Sequence, residues 1–347
     1  VLWLPPETAA QATAWPGFVQ FAQPVWALET VPDDPAWGQQ YGPAALQAPL
    51  AWDVTTGTMT VTIAIVDTGI DLSHPDLISQ LVTGTTFITT TTTPQDDNGH
   101  GTHVAGIAAA AGGNAVGIAG MSWAARLMPI KVLDSQGNGD DLDVAAGLVW
   151  AADHGADIIN LSLGGPCPSP AMALAVTYAY TMGATVVAAA GNSGQAGVLC
   201  PAADEPAIAV AATGPGNTRA AFSTYGPEVD LAAPGAGIYS TAPGGGYAVK
   251  SGTSMATPHV AGAAALLAGL PDFDTPARRR AALENTALDL GQACRDPFYG
   301  AGLVQVFAAM QAPPATPPFA VGWCQFLPAL YFGYPELPAW SNPKTKN

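Results

Sequence analysis

Short runs of apolar and β-branched residues alternate with Ala-rich stretches along most of this chain, and few folds accommodate that rhythm. Val61-Thr62-Ile63-Ala64-Ile65-Val66 is the clearest strand, and 127–132, 157–163, 185–190 and 207–211 are further strands by the same criterion. Helical stretches fall between or after them, at 102–111, 140–154, 170–182 and 256–267. Strand–helix–strand alternation predicts an α/β fold: three layers, doubly wound, with a mostly parallel sheet and helices on both faces. Functional sites in such sheets form at the carboxyl ends of the strands.

The ends of the chain read differently from its middle. Pro32-Asp33-Asp34-Pro35 marks a boundary, so 1–30 is an N-terminal arm and 31–311 the main domain. Residues 312–347 open with the stiff spacer Pro313-Pro314-Ala315-Thr316-Pro317-Pro318 and continue as an aromatic tail. The chain begins at Val1, not at Met, and no signal peptide starts there, so the start of the gene product is either missing or processed away. Apolar residues make up 49% of the 347, enough for a sizeable core, while charged residues make up only 10%. The net charge of −16 argues against a nucleic-acid partner and favours a cation, calcium first among them. The uncharged stretches 104–125 and 171–191 are broken by Gly112-Gly113-Asn114 and by Gly183, so neither predicts a membrane span.

Three residues carry candidate chemistry. Ser254 stands where a small-residue helix begins, in the field of free backbone N–H groups, and Pro258 is expected to sit in the first turn of that helix. An N-cap serine would occupy the same place. His100 lies between two glycines in Asn98-Gly99-His100-Gly101-Thr102-His103, where backbone and substrate can approach closely. A metal role for His100 with His103 lacks the glutamate of the zincin pattern, and His103 reads as a packed helix residue. Asp67 follows a strand directly and can orient an imidazole, or else make a turn before Gly69. Four cysteines, Cys167, Cys200, Cys294 and Cys324, form no zinc pattern and allow three disulfide pairings.

Taken together, Asp67, His100 and Ser254 follow the order of catalytic groups in subtilisin. The surrounding segments resemble the subtilisin-like serine proteases (subtilases): Asp67-Thr68-Gly69 with His74-Pro75-Asp76-Leu77, the block His100 to Gly106, and the block Gly252 to Gly262. Asn160-Leu161-Ser162-Leu163-Gly164-Gly165, Ala188-Ala189-Ala190-Gly191-Asn192 and Ala233-Pro234-Gly235 extend the resemblance over about residues 30–311, most closely to the thermitase branch.

The resemblance implies a secreted serine endopeptidase acting on polypeptides through an acyl-enzyme. Asp67, His100 and Ser254 would form its triad, and Asn192 would supply an oxyanion donor. Ser162, Leu163, Gly164, Ala189, Ala190 and Gly191 would wall the pocket for the residue before the scissile bond, with Leu199 near its floor and an apolar or aromatic preference. The rivals are an acid peptidase of the sedolisin type, which would carry Glu in place of His100, and a catalytically silent binding or scaffold module.

The resemblance further implies a structural calcium ion held by Asp34, Asp76 and Asn114 with the carbonyls of Ala111, Val116 and Ile118. A second site, in the loop before the catalytic His, would have Thr86, Thr89 and Thr91 where carboxylates are needed, and is expected to be empty. The expected disulfides are Cys167–Cys200, beside the pocket, and Cys294–Cys324, tying down the tail. Residues 1 to about 30 resemble the end of a propeptide that would act as intramolecular inhibitor and chaperone. A monomer is expected, with no nucleic-acid or membrane partner.

Overall fold

The computed structural model describes residues 30–313. Seven strands form the central sheet: β1 (Thr62–Asp67), β2 (Thr85–Thr86), β3 (Arg126–Lys131), β4 (Ile158–Leu161), β5 (Thr185–Ala189), β6 (Ile208–Thr213) and β7 (Leu231–Pro234). They pair in parallel in the order β2-β3-β1-β4-β5-β6-β7. The side chains of β1 divide between two cores, Ile63 and Ile65 entering one and Ala64 and Val66 the other. Successive strand residues face opposite sides, so a strand covered on both sides must be apolar almost throughout. That is why residues 63–66 read as an unbroken apolar run.

Five helices of ten residues or more cover the two faces of the sheet among the described residues: α1 (His100–Ala109), α2 (Asp141–Asp153), α3 (Pro170–Thr181), α4 (Thr253–Ala268) and α5 (Pro276–Asn285). Val104 of α1, Val260 of α4 and Leu283 of α5 share the core of Ile63 and Ile65. Leu148 of α2 and Val176 of α3 share the core of Ala64 and Val66. The expected three-layer α/β architecture is therefore the one the chain adopts. An antiparallel hairpin, β8 (Ile238–Ala242) and β9 (Gly246–Lys250), leads from the sheet into α4. It grips α1 through Ser240 Oγ donating to His103 O at 2.8 Å and Thr241 Oγ1 donating to Thr102 O at 2.7 Å.

The structure corrects two expectations about helices. The helix expected from residue 102 begins at His100, because the Asp96 carboxylate accepts from the N–H groups of Asn98, Gly99 and Thr102 and holds its first turn. Pro258 was expected in the first turn of α4 but lies inside the helix, in its second turn. A proline there removes the N–H that would bond the carbonyl of Ser254. Ser162 Oγ replaces it, donating to Ser254 O at 2.8 Å.

The Cys167–Cys200 disulfide forms as expected, with a Cα separation of 5.3 Å. Cys294 is not a free thiol, but its expected partner Cys324 lies outside the described residues. The propeptide-like segment 1–29 and the tail from 314 also lie outside them. The stretch 104–125 divides into part of α1 and the following loop, and 171–191 into α3 and β5; no helix of the described residues is long and apolar enough to cross a membrane.

Candidate active site

Each candidate residue stands at the carboxyl end of a strand or at the start of a helix aimed at those ends. Asp67 is the last residue of β1, Ser162 follows β4, and Gly191 and Asn192 follow β5. His100 opens α1, and Ser254 is in the first turn of α4. The strands to either side of β1 are reached by chain running in opposite senses from it, which makes these ends a switch point of the fold.

His100 Nδ1 lies 2.7 Å from Asp67 Oδ1, and Asp67 is fully buried. The same oxygen accepts from Thr68 N at 2.7 Å, which holds the carboxylate in place. A carboxylate facing Nδ1 fixes the proton there and leaves Nε2 as the acceptor. Burial alone would lower the His100 pKa, but the charge and hydrogen bond of Asp67 outweigh it and hold the imidazole above its ordinary value. Such close approach needs glycine at 101. A Cβ there would come within 2.1 Å of Gly69 O and 3.2 Å of Asp67 Oδ1.

Ser254 Oγ donates to Ser162 O at 3.0 Å, and no hydrogen bond joins it to His100. The two serines thus bond each other both ways. Asn192 Oδ1 accepts from Thr253 N at 2.8 Å and from Thr253 Oγ1 at 3.1 Å. Because Thr253 N can only donate, the amide orientation is fixed and Nδ2 faces outward. A Cβ on Gly252 would stand 3.5 Å from Asn192 Nδ2 and 3.6 Å from Ser254 N. Asn192 Nδ2 and Ser254 N thus lie near one point beside the serine, with Asn192 Oδ1 3.7 Å from it; a pair of donors of this kind can stabilise an oxyanion.

The pocket residues also come together. Leu199 N donates to Ala190 O at 3.1 Å, and Gly165 and Cys200 exchange backbone hydrogen bonds of 2.9 and 3.1 Å. Leu199 fills the space between two glycines: its side chain would meet a Cβ at Gly164 at 3.0 Å and one at Gly191 at 3.1 Å. Gly164 on one side and Ala190 and Gly191 on the other thus meet at Leu199, and the Cys167–Cys200 disulfide anchors the segment that carries it.

Comparison with known proteins decides the family. Residues 58–302 match the subtilase family. Thermitase of Thermoactinomyces vulgaris is 48% identical over 281 residues, covering 81% of this chain and 99% of thermitase. The chain belongs to the subtilase family. A thermophilic serine proteinase of Bacillus sp. (strain AK1) is 46% identical over 272 residues, 78% of this chain and 67% of that protein. Among solved structures, a protease from Pseudoalteromonas arctica PAMC 21717 superposes with a TM-score of 0.76 at 31% identity, covering 81% of this chain and 99% of its own. As a subtilase, and one similar to thermitase, this protein is a serine endopeptidase that acts on polypeptides.

Away from the reacting groups, this subtilase brings together the residues expected around calcium. Asp34 and Asp76 are both buried, and neither forms an ion pair with a basic side chain among the described residues. The loop 111–118 bridges them: Gly113 N donates to Asp34 Oδ2 at 2.7 Å, and Ile118 N to Asp76 Oδ2 at 2.9 Å. Burial pushes the Asp76 carboxyl above its usual range. The carbonyls of Ala111, Val116 and Ile118 accept no hydrogen bond from the described residues. Two buried carboxylates beside three unused carbonyls suit a hard cation. Asn114 turns its nitrogen, not its oxygen, to Asp76 at 3.1 Å, so its ligation requires a half-turn of the amide. In the threonine loop, Thr86 Oγ1 and Thr91 Oγ1 lie 2.8 Å apart and bond each other.

Sequence reasoning missed several supports of the site. Lys131 is fully buried at the end of β3 and ties the Thr68 and Leu133 carbonyls, both at 2.8 Å, to Asp97 at 2.6 Å. Ser162 was read only as a pocket wall, although it satisfies the Ser254 carbonyl that Pro258 leaves open in α4. Pro258 was the signal that could have found this, since it implies an orphan carbonyl at Ser254.

Proposed function

We propose that Asp67, His100 and Ser254 are the catalytic triad of this endopeptidase and Asn192 its oxyanion donor. The observation that carries the reading is the 2.7 Å contact between His100 Nδ1 and Asp67, with Ser254 in the first turn of α4 and Asn192 just after β5. Ser254 Oγ turns from Ser162 O toward His100 Nε2, gives up its proton there and attacks the peptide carbonyl. Asn192 Nδ2 and Ser254 N take the negative charge. The C–N bond breaks as His100 returns the proton to the leaving amine. Water, deprotonated by the same imidazole, then hydrolyses the ester and restores Ser254. Ser254→Ala should abolish casein hydrolysis and labelling by a sulfonyl fluoride while leaving the unfolding transition in place. Hydrolysis within tenfold of the parent would refute the assignment.

The pocket presents backbone and apolar atoms, which supports a preference for apolar or aromatic residues before the scissile bond, with Leu199 setting their size. Asp34, Asp76, Asn114 and the Ala111, Val116 and Ile118 carbonyls would hold one calcium ion, which would offset the buried charges and fasten the loop 111–118. Chelation should therefore lower Tm, and Asp76→Asn should reproduce most of the loss, because only the native state holds the ion. An unchanged melting curve after chelator treatment would count against the site. Export, maturation by loss of a propeptide and a monomeric state complete the reading. The Cys167–Cys200 disulfide supports export, since such bonds persist in oxidising compartments.

A further inference from the structure

Lys250 ends β9 shortly before Ser254, and its ammonium donates to the carbonyl of Gly99, the residue before His100, at 2.8 Å. The side chain is half-buried, and among the described residues no carboxylate lies within ion-pair distance of it. Its placement is electrostatically adverse. It stands at the N-terminal end of α1, the positive end of the helix dipole, where Asp96 is already taken up by the N–H groups of the first turn. Its charge also opposes protonation of both His100 and His103. The carboxylates on neighbouring elements are engaged elsewhere: Asp67 with His100, Asp96 with the first turn of α1, Asp97 with Lys131. A single bond to a carbonyl requires one N–H, whereas an ammonium has three. Two donors and an unpaired positive charge remain open at the edge of the site.

The geometry of the reaction says what passes there. The residue before the scissile bond lies between the 162–164 and 189–191 walls, and the carbonyl oxygen faces Asn192 and Ser254 N. The leaving amine must then meet His100, so the chain beyond it crosses the Gly99–His100 edge, where the Lys250 ammonium sits. We propose that Lys250 is a specificity-determining residue that selects an acidic side chain on the first two residues of the leaving fragment. The proposal rests on the triad reading above.

The test uses fluorogenic peptides identical except for Glu or Gln at the first or second position after the scissile bond. At low ionic strength, kcat/KM should favour Glu by about two- to fivefold at one or both positions, the range of a partly exposed ion pair. The ratio should fall toward unity in about 1 M NaCl, where the screening length is about 3 Å. Lys250→Met should erase it and Lys250→Glu invert it, with rates referred to sites titrated by a sulfonyl fluoride. A native ratio at or below one at both positions, a ratio indifferent to salt, or one unchanged in Lys250→Met would overturn the proposal. The salt series on the native enzyme decides alone if the variants do not fold. Failure to cleave any peptide, with no labelling of Ser254, would bring down the triad reading and this proposal with it.

Discussion

Single side chains in this protein do more than one job, and the second job is the one hidden from sequence. The roles proposed for Asp67, His100, Ser254 and Asn192 could be read because each sits in a local pattern, a strand end, a helix start or a turn beside glycine, that explains its type. The reciprocal bond between Ser162 and Ser254 was not, since 92 positions separate the two residues. Ser162 Oγ also accepts from Asn160 Nδ2 at 3.0 Å. Ser162→Ala should therefore leave an unpaired carbonyl and an unpaired amide, at a cost of about 1–3 kcal/mol. The rate should fall as well, because the first turn of α4 loses an anchor. Paired urea-denaturation and casein assays would check this, and an unshifted midpoint would contradict it.

At the level of elements, five of the seven sheet strands were legible, whereas β2, β7 and the β8–β9 hairpin were not, and two helix starts were displaced. Both faces of β1 are covered, so its apolar run announces it, whereas the start of α1 depends on a carboxylate at Asp96 that reads in sequence as one more turn residue. The α1–β1 junction is also where the active geometry is most exposed to change. Adding a methyl group at Gly101 places it 2.1 Å from the Gly69 carbonyl, which is backbone and cannot step aside. Gly101→Ala should push α1 outward and separate His100 from Asp67. A displacement near 1 Å costs about 100-fold in rate, so kcat should fall by that order while KM changes little. Steady-state kinetics on one peptide would show it, and a KM effect alone would argue for another cause.

For the whole molecule, two of the three buried histidines outside the proposed triad set a limit at low pH. His103 donates through Nε2 to Ala248 O at 3.0 Å and His259 through Nδ1 to Met255 O at 2.8 Å, and burial pulls both rings down to about 4. Above the ordinary histidine value of about 6.5 neither the folded nor the unfolded state binds a proton at these rings. As pH falls from there toward 4, the unfolded chain takes protons that the folded core refuses, so stability declines, by roughly 3 kcal/mol per ring at most. Unfolding free energies measured at about pH 7 and about pH 4.5 should show that decline, and His259→Asn, which keeps a donor toward Met255 O, should flatten it. An identical slope in the variant would remove His259 from the account. The paired serines have a different consequence, one that concerns how such a protein can diverge. On the proposed reading Ser162 serves at once the wall that meets the substrate and the helix that carries Ser254, so a change there would alter taste and speed together. Leu199 is free of that bond, since only its backbone is tied to Ala190 and its side chain merely fills a gap between two glycines. Descendants with new diets would be expected to vary at 199 long before they vary at 162.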